Sequence, residues 1–240
     1  MPSEVWKDGS VARQFVDARA ARVPETRTQL EVLLHLLACL PRPPRRLLDV
    51  GAGDGILLAT LLEAFPEASG VAVDFSPPML DRARARLAPF GGRASVVEGD
   101  LASPDWRAAV GGPFDGVVSG FAIHHLPDDR KRALYAEIFA LLAPGRPFLN
   151  LEHVASASPG VRRFADEAMV AHQHGQRQAA GERVGREQVR REFQERPDRL
   201  ANILAPVEAQ CRWLRELGFV DVDCYWKWFE LAVFGGFRPA

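Results

Sequence analysis

The chain switches between two hydrophobic periods, and each switch marks an element. In "TRTQLEVLLHLLACL", residues 26–40, Leu30, Leu33, Leu34 and Leu37 recur at helical spacing, and Thr26 with Gln29 reads as a capping box. "PRPPRR" ends that helix. Short apolar runs then alternate with helical patterns. "RLLDV", "SGVAVDF", "ASVVEGD", "FDGVVSG" and "PFLNLEHV" read as strands. "GILLATLLEAF", "PPMLDRARARL", a short segment over 103–110 and "DDRKRALYAEIFALLA" read as the helices between them. Ahead of this region residues 1–25 are polar and irregular, with a short helix around "SVARQFVDARAARV".

Such alternation predicts an α/β fold, a parallel sheet with helices on both faces and right-handed crossovers. The pattern breaks at residues 156–204, which are charged, Arg-rich and helical, and too long for a plain connection. "PVEAQCRWLRELGF" restores an amphipathic helix, and "VDVDCYWKW" and "ELAVFGGF" read as closing strands. The expected organisation is an N-terminal helical lid (1–44), a core (45–155), a helical cap (156–204) and a C-terminal return to the core (205–240).

Composition narrows the class without deciding it. The 240 residues are 47% hydrophobic and 25% charged, as in a soluble globule. A net charge of -1 argues against a large nucleic-acid footprint, so no nucleic-acid partner is expected. Cys39, Cys211 and Cys224 lack metal-ligand spacing and read as reduced, which suits the cytoplasm. "MPSEVWKDGS" has no apolar leader and no uncharged run approaches a membrane span, so no membrane association is expected.

The candidate chemistry begins at "LLDVGAGDG", where Gly51, Gly53 and Gly55 fall at alternate positions directly after a strand. A loop between a parallel strand and a helix lies at the carboxyl edge of the sheet, where ligands bind. Glycines there admit positive φ and bare backbone, and the helix start offers free N–H groups. A tight turn alone is the plainer reading. Asp74 and Asp100, which end the next two strands, favour a ligand instead. The first sits where an acid grips a ribose diol, and the second suits an adenine amino group. A nicotinamide dinucleotide site asks for Gly or Ala at position 56, where this chain has Ile56.

"LLDVGAGDG", "VAVDFSPPML", "VVEGDL", "FDGVVSGFAIHHL" and "LLAPGRPFLNLE" occur in the order of the class I S-adenosylmethionine-dependent methyltransferases, which the chain resembles over about 45–153 and again over 206–238. The resemblance implies a Rossmann-like fold with a seven-stranded, mostly parallel sheet and an antiparallel last strand. It implies S-adenosyl-L-methionine as cofactor and S-adenosyl-L-homocysteine as product. By position it sets Asp49, Gly51, Ala52, Gly53 and Gly55 against the methionine part, and Asp74 on the ribose hydroxyls. Phe75 and Met79 wall the adenine, Asp100 and Leu101 meet its edge, Ser119 and Gly120 offer backbone to the amino group, and Ile123 packs nearby.

Methyl transfer from a sulfonium is an in-line displacement that positioning largely accelerates, and a base is needed only for a protonated acceptor. His124 and His125 follow the fourth strand, while Glu152 and His153 follow the fifth. Adjacent side chains diverge, so at most one histidine of the first pair is expected to face the site; the alternative is that both pack. One of Glu152 and His153 is the other candidate. His172 and His174 lack helical metal spacing, and no metal is expected. Phe15, Arg19 and Arg22 in the lid, Arg196 and Arg199 in the cap, and Tyr225, Trp226 or Trp228 at the closing strands are candidates to meet the acceptor. Solvated ion pairs are the alternative for the arginines.

The acceptor class rests on absences. "SGFA" stands where adenine N-methyltransferases carry an Asn-Pro-Pro-Tyr type of sequence. There is no Pro-Cys nucleophile, no paired-glutamate loop and no basic appended domain. A small-molecule acceptor follows, for a monomer or homodimer. The cap and the tail "NILAPVEAQCRWLRELGF" also look similar to carboxy-S-adenosylmethionine synthase, whose cap arginine holds a carboxylate; Arg196 and Arg199 lie near the corresponding place. A non-catalytic cofactor-binding protein is the third reading.

Overall fold

The structure is a computed structural model that describes residues 6–11 and 24–240. Phe15, Arg19 and Arg22 and most of the expected N-terminal helix lie outside the described residues. From there the chain runs through helix α1 (Thr26–Ala38), strand β1 (Arg46–Val50), α2 (Ile56–Ala64), β2 (Ser69–Asp74), α3 (Pro77–Leu87) and β3 (Ala94–Glu98). It continues through α4 (Trp106–Val110), β4 (Gly116–Gly120), a 3-10 turn (Ile123–His125), α5 (Asp128–Leu141) and β5 (Pro147–His153). Three helices then leave the sheet: α6 (Pro159–Ala179), α7 (Arg186–Glu195) and α8 (Pro197–Leu200). Helix α9 (Val207–Glu216) returns to it and leads into β6 (Val220–Trp228) and β7 (Leu231–Phe237).

The seven strands form one sheet in the order β3-β2-β1-β4-β5-β7-β6. The strands β1 to β5 pair parallel, and β7 inserts antiparallel between β5 and β6. This is the expected Rossmann-like sheet with its reversed last strand. Order reverses at β1 and β4, so their carboxyl ends splay into a crevice.

Strand alternation splits the core in two. Leu48, Val117 and Phe148 point to one face and pack with Trp106, Leu134, Ile138 and Leu214 from α4, α5 and α9. Their neighbours Leu47, Val118 and Leu149 point to the other and pack with Leu33, Leu37, Leu58 and Leu61 from α1 and α2. Burying both faces is why these strands read as continuous apolar runs. Helices α6 and α7 share a small cluster of their own, Val170, Val189 and Phe193, supported by ion pairs such as Arg190–Glu167.

The expected capping box at Thr26 is not formed. Glu25 occupies the cap in a left-handed conformation and accepts a bond from Thr28, while Gln29 turns back to donate to Pro24 O at 2.9 Å. The short helix expected over 103–110 starts only at Trp106, because Ser103 and Asp105 bond each other in a turn.

Candidate active site

A cleft of about 1180 Å³, counting its open mouth, lies over the carboxyl ends of β1 and β4. Asp49, Gly51, Ala52, Gly53, Asp74, Phe75, Met79, Asp100, Leu101 and Gly120 all line it. Asp49 also accepts from Leu58 N–H at 3.1 Å, which ties the end of β1 to the first turn of α2. Gly51 has φ 71°, and a Cβ there would lie 2.3 Å from the Ala122 Cβ, so this position admits no side chain. Gly53, at φ 56°, donates its N–H to Asp74 Oδ2 at 2.8 Å.

Asp74 thus joins the loop after β1 to the end of β2. Its Oδ1 accepts from Ser76 N–H at 2.9 Å. Burial pushes its carboxyl up, and the Ser76, Gly53 and Phe75 N–H groups pull it back. Asp74 lines the cleft, where a carboxylate is the acceptor that hydroxyl donors need. Asp100 accepts from Ala102 N–H, and Arg130 holds the following loop by donating to Leu101 O at 2.6 Å.

Not every expected residue reaches the cleft. Ser119, expected to offer backbone, is fully buried beside Gly120 with its hydroxyl donating to Val50 O at 2.7 Å, and Ile123, expected to pack nearby, is buried in the core. Gly55 caps α2 instead of lining the cleft. Trp226 pairs with Val233 on the outer strands and packs against the α1 side of the core, and it does not line the cleft. Trp6 and Phe121, for which the motifs carry no role, line the cleft together with His125. An aromatic residue in the polar stretch "MPSEVWKDGS" was the available signal for Trp6.

A second cavity, under α7 and α8, adjoins the cleft and is lined by His124, His125, His153, Phe193, Arg196 and Arg199 among others. Both adjacent histidines reach it, contrary to the expectation of one, but their nitrogens differ. His125 Nε2 accepts from Trp6 Nε1–H at 3.0 Å and its Nδ1 lies 3.3 Å from Ala201 O, so both nitrogens are engaged. Burial, then the neighbouring His124, depresses its pKa to about 3. His124 Nδ1 makes a very short bond to Glu152 Oε1, which leaves Nε2 for the cavity. Burial and the nearby His153 and Lys131 keep His124 neutral.

Glu152 does not face the cavity; it is 1% exposed and lies behind His124. Burial pushes its carboxyl up to about 7, against the His153 N–H bond at 2.8 Å. His153 Nε2 lies 3.1 Å from Glu230 Oε2, and its Nδ1 lies 3.2 Å from the Asn202 amide. The cap arginines are both paired, unequally. Arg196 spends Nε and Nη2 on Asp198, whereas Arg199 gives one bond to Asp166 and stacks on Phe193 at 4.2 Å. No group of His, Cys, Asp and Glu among the described residues could hold a metal. No helix among them is long and apolar enough to cross a membrane.

Residues 47–145 match the family model described as a methyltransferase domain. A demethylmenaquinone methyltransferase from Thermus thermophilus is 35% identical over 116 residues, 47% of this chain and 49% of that protein. A carboxy-S-adenosyl-L-methionine synthase from Wolinella succinogenes is 25% identical over 95% of this chain and 90% of its own. The apo structure of the methyltransferase SibL superposes with a TM-score of 0.62 at 21% identity, over 90% of this chain and 56% of that one. The chain spans about half the length of the curated relatives it matches above 30% identity. Residues 47–145 are thus similar to a methyltransferase domain, and the fold is that of the class I methyltransferases. The cofactor of that class is S-adenosylmethionine, and the cleft has the donor set for it. Paired acceptors at Asp74 suit the ribose, Asp100 suits the amino edge of a base, and Phe75 and Met79 supply apolar walls.

Proposed function

We propose that the chain is an S-adenosylmethionine-dependent methyltransferase of a small molecule that arrives with its proton on, with His124 as general base and Glu152 as the group that orients it. The observation carrying this reading is the His124–Glu152 pair, set where the cofactor cleft adjoins a second cavity. A carboxylate on Nδ1 holds the imidazole in the tautomer whose Nε2 can accept a proton. It also stabilises the imidazolium that forms. When bound, S-adenosylmethionine supplies a methyl already activated on sulfur. The protein has to orient the acceptor and take its proton. Three free cysteines suit a cytoplasmic setting, and a monomer or homodimer is the assembly read here.

The test is turnover, read as S-adenosylhomocysteine release over a panel of hydroxyl, thiol and amine acceptors. His124→Gln should lose about 10²–10⁴-fold of kcat with S-adenosylhomocysteine affinity unchanged. Full turnover in that variant ends the base assignment.

One observation favours a second reading, a relative that handles a carboxylated cofactor. The Arg199 side chain is one-tenth exposed yet gives a single hydrogen bond, so donors remain for a carboxylate in the cavity it lines. Mass spectrometry of the ligand released from freshly purified protein separates the two readings. The ordinary cofactor or its demethylated product supports methyl transfer, and a mass heavier by a carboxylate supports the second.

A further inference from the structure

Three residues, Trp6, Phe121 and His125, line both the cofactor cleft and the second cavity and form the wall between them. Phe121 is held there by its backbone: its φ is 53°, left-handed for a bulky residue, and its N–H donates to Leu151 O at 2.8 Å. Trp6 comes from the far N-terminal end of the chain. It is 8% exposed and its ring packs on Met79 and Phe75. Its carbonyl accepts from Ser76 Oγ–H at 2.5 Å, and its indole N–H donates to His125 Nε2 at 3.0 Å. His125 then meets Ala201 O, at the end of α8 in the cap. One hydrogen-bonded chain therefore runs from the N-terminal segment through the site to the cap.

We propose that Trp6 is a positioning residue that closes the cofactor cleft and the acceptor cavity together, acting through His125. The inference rests on the reading of the cleft as an S-adenosylmethionine site. Trp6 seats on Phe75 and Met79, the apolar walls of that site, so a nucleoside in the cleft adds surface for the indole to cover. Once seated, the indole N–H fills His125 Nε2 and fixes the other nitrogen as the donor to Ala201. His125 is thereby removed as a base, and His124 is the imidazole left for the acceptor. Opening the cleft requires the indole to leave His125.

The test measures S-adenosylhomocysteine dissociation by stopped-flow displacement from the full chain, for wild type, Trp6→Phe, His125→Asn and the double variant. Trp6→Phe keeps an aromatic ring and loses the N–H. It should release the ligand about three- to tenfold faster, the size of one lost neutral hydrogen bond. The double variant should be no faster than the faster single variant, because the two side chains act as one contact. The indole emission missing from Trp6→Phe should be the part that responds to ligand in the wild type.

Release from Trp6→Phe within twofold of wild type overturns the proposal. So do effects at the two positions that multiply. If His125→Asn does not fold, Trp6→Phe decides alone. Failure of the wild type to bind S-adenosylhomocysteine overturns the cofactor reading, and this inference with it.

Discussion

Glu152→Gln is expected to change how stability depends on pH, and the size of the change follows from where the carboxyl sits. In the folded chain burial holds it at about 7, against an ordinary value of 4.5 when unfolded. Below the unfolded value both states keep the proton, and the buried group carries no charge to desolvate. Between the two values the unfolded chain ionises first. Each pH unit then costs the fold about 1.4 kcal/mol. Across a window of about 2.5 units the loss totals about 3 kcal/mol, and above the folded value it levels off. Glutamine matches the side chain in size and does not titrate. The difference in unfolding free energy, wild type minus Glu152→Gln, should therefore fall by about 3 kcal/mol between pH 4.5 and 7 and stay flat beyond. Taking the difference cancels every other titrating group that the substitution leaves alone. Urea unfolding at closely spaced pH values measures it without any knowledge of the acceptor. A difference that stays constant through that window would falsify the burial argument.

The same titration should appear in turnover. When Glu152 is protonated its O–H donates to His124 Nδ1, the imidazole changes tautomer, and Nε2 carries the hydrogen; kcat should rise through about pH 7 and lose that limb in Glu152→Gln. Asp74→Ala should weaken S-adenosylhomocysteine binding by about 1.5–3 kcal/mol in a calorimetric titration, since a carboxylate is lost from the ribose hydroxyls; unchanged affinity removes Asp74 from the site. Gly51→Ala drives a Cβ to 2.3 Å from Ala122 on a backbone of φ 71°. It should lose about 2–4 kcal/mol in denaturant unfolding, and a wild-type midpoint would show that the loop yields.

The sheet and the cofactor cleft were legible because local signals there agree. Strand and helix periods alternate, and the closing strands were read at "VDVDCYWKW" and "ELAVFGGF", where β6 and β7 form. Asp74 announces itself by ending β2, whereas Asp100, expected to end the third strand, lies two residues past the end of β3. What stayed hidden depends on contacts between distant parts of the chain. Trp6 meets His125 119 positions away, and His124 meets Glu152 28 positions away. The sequence placed all four acceptor-side candidates near the site but had no means of ranking His124 against Glu152. Only burial separates them: one opens on the cavity, and the other stands behind it. Arg196 was equally hard to read, since Asp198, two residues on, takes its Nε and one Nη2 hydrogen at the cavity it lines.

The adjacent histidines show how far neighbours can diverge on one 3-10 turn. Their rings are 4.0 Å apart and both are buried, so both lose the charged form. Desolvation alone would make both poor bases. The difference lies in what each nitrogen touches. His125 meets a donor and a carbonyl, two neutral partners that satisfy the ring and leave nothing to repay a proton. His124 meets a buried carboxylate, and gaining a proton there turns a lone buried charge into a neutral pair. A proton arriving from the acceptor thus relieves the desolvation cost of Glu152 while it charges His124. That compensation would make a buried histidine serviceable as a base, and it is why losing Glu152 should lower turnover even though Glu152 touches no acceptor.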